Sequence, residues 1–181
     1  LELPAGQFAL FMNSMYAVDA YVRDYFRKAA LDALLAEKLP VTVFGEGWEK
    51  YSCGDEHSLR REPAVPFALS FERIAKAHVL LNVSPIFNRG MHDRVPAGMA
   101  NHAVVLTDEN PYLRRTFTDG KELLFYSLEK PDTLCEQAER TLTDVRLREK
   151  IAASAYETFE REYTWKRRAE QILAFAEEVE A

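Results

Sequence analysis

HVLLNVSPIFNRGMHDRVPAGMANHAVVLTDENPYL, residues 78–113, holds the fold in miniature. Val79 to Val83 and Ala103 to Thr107 are apolar runs without polar alternation, the pattern of strands covered on both faces. Between them lies an aperiodic stretch from Ser84 to Pro96, then a small-residue helix over Ala97 to Ala100. Two buried strands joined through a helix imply a parallel crossover. A short helix over Tyr112 to Phe117 follows.

Outward from this core the alternation continues. Toward the N-terminus, Val41 to Phe44 reads as a β-branched strand broken by Gly45 and Gly47. Before it, a helix capped by Asp19 presents Tyr21, Val22, Tyr25, Phe26, Ala29, Ala33 and Leu34 on one face. Phe8 to Met12 reads as a first buried strand, and Asn13 and Ser14 as its turn. Residues 51–61 read as irregular, with an extended piece at 64–67 and a short helix from Ser70 through Ala77. Toward the C-terminus, Leu123 to Tyr126 is the last strand. Helices are expected near 131–143 and 145–161, with Asp144 capping the second. A terminal helix carries Trp165, Ala169, Ile172, Leu173, Ala176 and Val179 at helical spacing and should fold back on the sheet or mediate a dimer. The fold class is therefore α/β: a doubly wound, Rossmann-like parallel sheet with extra C-terminal helices.

The 181 residues suit one domain. A net charge of −6 argues against a nucleic-acid or anionic-membrane surface, but leaves room for a local cluster of anion donors. No apolar run is long enough for a transmembrane segment, and no basic signal region precedes Pro4. Cys53 and Cys135 are far apart and read as reduced thiols of a cytoplasmic protein. His57, His78, His92 and His102 lack metal-ligand spacing, so no metal site is expected. There is no GxxxxGK[ST], no GxSxG and no DxD, which removes support for P-loop, α/β-hydrolase and metal-held sugar-nucleotide chemistry.

In an open parallel sheet the ligand sits beyond the carboxyl ends of the strands. The loop PIFNRGMHDRVP, residues 85–96, is the richest of these ends. Arg89, Arg94 and His92 supply cationic donors, Gly90 permits close backbone approach, and helical amides after Asp93 would suit phosphate. The same residues could instead form an Asp93–Arg94 ion pair with a solvated Arg89. Asn13, after the first expected strand, is either a ligand contact or a plain turn residue. Gly45 and Gly47 are either a backbone approach to ligand or a structural turn; without a third glycine they do not make a dinucleotide fingerprint. Among Asp108, Glu109 and Asn110, a carboxylate could accept sugar hydroxyls or the group could cap a helix.

Residues 78–113, DGKELLFYSLEKPDTL at 119–134 and REYTWKRRAEQIL at 161–173 together resemble the C-terminal domain of group-1 GT-B glycosyltransferases. They are most similar to the subgroup with spore-maturation and protein-glycosylating bacterial enzymes; VTVFGEGWEK at 41–50 fits more loosely. The resemblance implies a domain spanning 1–181 that holds the nucleoside diphosphate of a sugar donor, with no cofactor. The acceptor site and general base would come from an N-terminal domain outside this sequence, so the chain alone should be inactive. Arg89, Gly90, His92, Asp93 and Arg94 would meet the diphosphate; Asn13, Gly45, Gly47, Asn88 and Glu109 the nucleoside or sugar. Asp93 and Arg94 match a recurring Asp-Arg of the subgroup. Gly90 and Ala97 stand where many retaining members carry glutamates. Pro96, Gly98 and His102 replace a larger apolar residue, alanine and glycine. These departures motivate an alternative: a degenerate, non-catalytic interaction module.

Overall fold

Polar residues cap the carboxyl ends of three short apolar strands, and the sheet aligns those ends. The strands are β3 (Val79–Asn82), β4 (Val104–Asp108) and β5 (Leu124–Tyr126), all parallel in the order β3-β4-β5. Val79 is opposite Val104, and Leu106 opposite Leu124. The computed structural model describes residues 4–180; residues 1–3 and 181 of the expected domain lie outside them.

Side chains alternate across β4 and β5 because successive residues of a strand point to opposite faces. Val104, Leu106, Leu124 and Tyr126 join one core cluster with Ala30 and Leu34 of α1 (Ala5–Ala36) and Leu134 and Ala138 of α5 (Pro131–Thr143). Val105, Leu123 and Phe125 face the other way. There they meet Val95 and Met99 of α3 (Arg94–Ala100), Leu113 of α4 (Pro111–Thr116) and Ala155 of α6 (Val145–Glu162). Helices thus cover both faces, which makes the doubly wound α/β architecture. The Asp144 carboxylate caps α6 by accepting the Leu147 amide at 2.9 Å, as its position predicts.

The first third departs from the sequence reading. Phe8 to Met12 is not a strand, and Asn13 and Ser14 are not a turn: all lie inside α1. Between Gln7 and Ala36 no glycine or proline interrupts the chain, and a five-residue apolar run cannot by itself distinguish strand from helix. The run is not buried either, since Phe8, Leu10, Phe11 and Met12 are exposed. Asp19 is therefore an interior residue, paired with Arg23, rather than a cap.

Residues 51–61, read as irregular, include the start of β2 (Leu59–Glu62), which pairs in parallel with β1 (Val41–Phe44) as a separate two-stranded sheet. The sequence LRRE has no apolar run to announce a strand. Its register comes from β1, and Leu59 packs against Leu31 and Leu35 of α1. The extended piece expected at 64–67 ends in Pro66, which precedes α2 (Phe67–Ile74). That helix begins before Ser70. The last helix, α7 (Trp165–Glu180), leaves Trp165, Ile172, Leu173, Phe175 and Val179 exposed, so it does not fold back on the sheet. No helix among the described residues is long and apolar enough to cross a membrane.

Candidate functional site

Each strand of the three-stranded sheet ends in a residue with a polar group, and these residues meet. The Asn82 amide donates to Thr107 Oγ1 at 2.9 Å, and the Tyr126 hydroxyl donates to the Asn82 carbonyl at 3.1 Å. The Ser84 amide donates to Asp108 Oδ1 at 2.7 Å. Asn82, Ser84, Thr107 and Asp108 are all buried. Buried polar groups of this kind persist when satisfied, and they rigidify what they join. Here they fix the root of the 85–93 loop.

Asn110 holds the tip. Its Nδ2 donates to the Phe87 carbonyl at 2.7 Å and the Gly90 carbonyl at 3.3 Å, while its Oδ1 accepts the Leu113 amide at 2.8 Å and caps α4. Of the two readings of this segment, capping holds for Asn110. Asn110→Ala should cost about 2 kcal/mol, roughly one for the cap and one for the freed carbonyls. Denaturant unfolding measures the loss, and hydrogen exchange should rise at 87–90.

Asp108 is 2% exposed, and burial pushes its carboxyl up to about 6, against opposing pulls from the Ser84 amide and the Arg94 charge. The folded value lies above the ordinary one. The associated stability is therefore complete below about pH 4 and lost as pH rises through 6. Asp108→Asn keeps an oxygen acceptor for Ser84 but no charge. Its stability relative to the parent should improve by about 2 kcal/mol between pH 4 and pH 7, followed by urea unfolding at both.

Arg94 opens α3 beside this network. Its Nε is buried and has no hydrogen-bond partner among the described residues, and no described carboxylate lies within ion-pair distance. The expected alternative, an Asp93–Arg94 pair, does not form; Asp93 Oδ1 stands 2.5 Å from His92 Nδ1 instead. Burial first, and the nearby Arg27 charge second, hold the Arg94 guanidinium below its ordinary value. Burial and the Arg94 charge likewise lower His92, against the opposing pull of the Asp93 carboxylate.

The open helical amides expected after Asp93 are largely closed by the chain itself. The Val95 amide donates to the His92 carbonyl at 3.0 Å, Ala97 to the Asp93 carbonyl at 3.1 Å, and Pro96 has no N–H. The Arg94 amide faces His92 Nδ1 at 3.2 Å. At the start of α3 the backbone amides are thus engaged within the chain, while the Arg94 Nε has no partner among the described residues.

The remaining residues divide by place. Arg89 is exposed, on the same loop as Asn88 and Gly90. Glu109 binds Arg114 through Oε2 at 2.8 Å, so its carboxylate is already engaged. Gly45 and Gly47 form a turn at the carboxyl end of β1, on the other sheet, with φ of 120° and 92° that favour glycine. Their amides are occupied, by the Glu62 carbonyl and the Glu49 carboxylate. Asn13, placed by the sequence in a strand-end loop, is an exposed residue of α1, because the strand before it does not form. Asn88, Arg89, Gly90, His92, Asp93 and Arg94 share one loop and the start of α3, whereas Asn13 lies on α1 and Gly45 and Gly47 on the turn after β1. Asn82 and Tyr126 were not singled out in the sequence, and Asp108 was weighed there only together with Glu109 and Asn110. The signal was available: each is the last residue of its strand.

A family profile described as glycosyl transferase-like matches residues 23–174. The chain belongs to this glycosyl transferase-like family. The match takes in both sheets and every residue of the loop just described. No curated protein matches the sequence. Among solved structures, Anabaena Alr3699/HepE in complex with UDP-glucose superposes with a TM-score of 0.67 at 12% identity. That superposition covers 85% of this chain and 44% of that one. The same protein in complex with UDP gives 0.68 at 12% identity, with the same coverage. A glycosyltransferase from Rickettsia africae gives 0.61 at 11%, over 86% of this chain and 54% of that one. At these identities the likeness is one of fold, the GT-B glycosyltransferase fold. The chain spans less than half the length of HepE.

Proposed function

We propose that this domain binds the nucleoside diphosphate part of a sugar nucleotide and serves as the donor half of a glycosyltransferase. The observation that carries the reading is Arg94: a half-buried arginine whose Nε is buried and unpaired, at the carboxyl edge of a parallel sheet. Removing a charged group from water is costly unless a counter-charge arrives. A diphosphate supplies it, and arginine grips phosphate oxygens through parallel hydrogen bonds. Family membership and the UDP-glucose complex of HepE, a protein of the same fold, support the same ligand class.

In the transfer step negative charge builds on the departing diphosphate. Arg94, with Arg89 reaching in from the exposed loop, would neutralise it; a fixed positive group at a developing charge lowers the barrier directly. No metal is needed in this scheme. The acceptor and general base belong to an N-terminal domain, and the spore-maturation and protein-glycosylating subgroup is the family branch we favour. Titration calorimetry with UDP, GDP and dTDP tests the proposal. One of the three should bind with a submillimolar Kd, unchanged by EDTA and weakened in Arg89→Ala. Absence of binding by all three at millimolar concentration would overturn it.

A further inference from the structure

Among the described residues, only three buried side-chain polar atoms lack a partner: Nε of Arg23, Nε of Arg94 and Oε1 of Gln137. Two belong to arginines, one on α1 and one on α3. Arg27 lies one helical turn after Arg23, on the same face of α1. Its neighbours Phe26 and Ala30 border a small cleft with Tyr126, Ser127 and Leu128, so this turn of α1 stands at the carboxyl end of β5. Arg94 is at the same edge, close enough for its charge to act on Asp108 and Tyr126.

Arg27 is only loosely paired: its Nη1 is 3.7 Å from Asp24, a residue whose side chain is largely in solvent. Its charge reaches both His92 and Arg94 and pushes each the same way. Arg23 pairs with Asp19 at 2.5 Å. The elements around Arg94 thus offer Arg27 and His92. Asp108 is the buried carboxylate nearby, and Asp93 is turned to His92. Arg27 and Arg94 repel one another, with Asp93 and Asp108 acting against that repulsion only in part, and an anion entering between them would relieve it.

We propose that Arg27 is a second cationic ligand of the donor diphosphate, so that one anion is held jointly by α1 and α3. The inference rests on the donor-binding reading above. It adds an element 67 positions away in sequence, counting from 27 to 94, that the 85–96 loop does not suggest.

Calorimetry on the 181-residue chain with UDP and with inorganic pyrophosphate separates the possibilities. Arg27→Ala should weaken both ligands about tenfold, the scale of one charge-assisted hydrogen bond, and should flatten the salt dependence of binding. Arg27→Lys should recover part of the loss and Arg27→Gln none; these two decide the matter if the alanine variant folds poorly. Arg167→Ala, on α7, should bind as the parent does. If Arg27→Ala and Arg27→Gln bind UDP as tightly as the parent while loss of Arg94 abolishes binding, the α1 contribution is refuted and the donor site stands. If the parent binds neither UDP nor pyrophosphate, the donor reading itself fails, and this inference with it.

Discussion

Arg94→Met should weaken UDP binding by about a hundredfold, close to 2.7 kcal/mol, while leaving the unliganded domain at least as stable as the parent. The two halves of this result have one cause. In the free protein the guanidinium is partly removed from water and its buried Nε is left without a partner, so the charge opposes folding. Methionine fills the space of the aliphatic stem and removes that cost. With a diphosphate present the same charge becomes the main attraction. A residue that only held the fold together would show the opposite pattern, with stability falling along with affinity. Calorimetric titration and thermal unfolding of the same samples distinguish the two. A variant that unfolds early but still binds UDP would refute the assignment.

Gly98→Ala is expected to destabilise the domain by about 2 kcal/mol, and Gly98→Leu to prevent folding. A Cβ at Gly98 would collide with Val105 Cγ2 and stand 3.0 Å from Leu80 Cδ2. Val105 is fully buried in the middle of β4 and has little room to withdraw. Alanine gains roughly 1 kcal/mol in helix propensity over glycine, but a contact that short costs more. Pairing Gly98→Ala with Val105→Ala should restore part of the loss, measured as a coupling energy in a double-mutant cycle. Additive effects would show that α3 does not approach the sheet this closely. Because α3 also starts with Arg94, the close approach sets where the arginine enters the strand ends.

The parts of this molecule that were legible in one dimension are those whose periodicity is local. The three apolar strands, the caps at Asp144 and the small residues of α3 each announce themselves within a few positions. β2 does not, because LRRE becomes a strand only by pairing with β1. The start of α1 does not either, since an apolar run fits both a strand and a helix. The loop at 85–96 was found as a place, but not its chemistry. Arg89 and Arg94 look equivalent in sequence; in the fold one is exposed and the other has a buried nitrogen.

The sequence alone determined that a parallel sheet would be covered on both faces, and that the loop at its carboxyl edge would carry arginines. Burial along a strand is written in the residue types themselves. Only the tertiary structure decided which arginine has a desolvated nitrogen and what surrounds it. Desolvation and charge–charge distance depend on where residues 27, 94, 108 and 126 come to rest, and no spacing along the chain encodes that meeting.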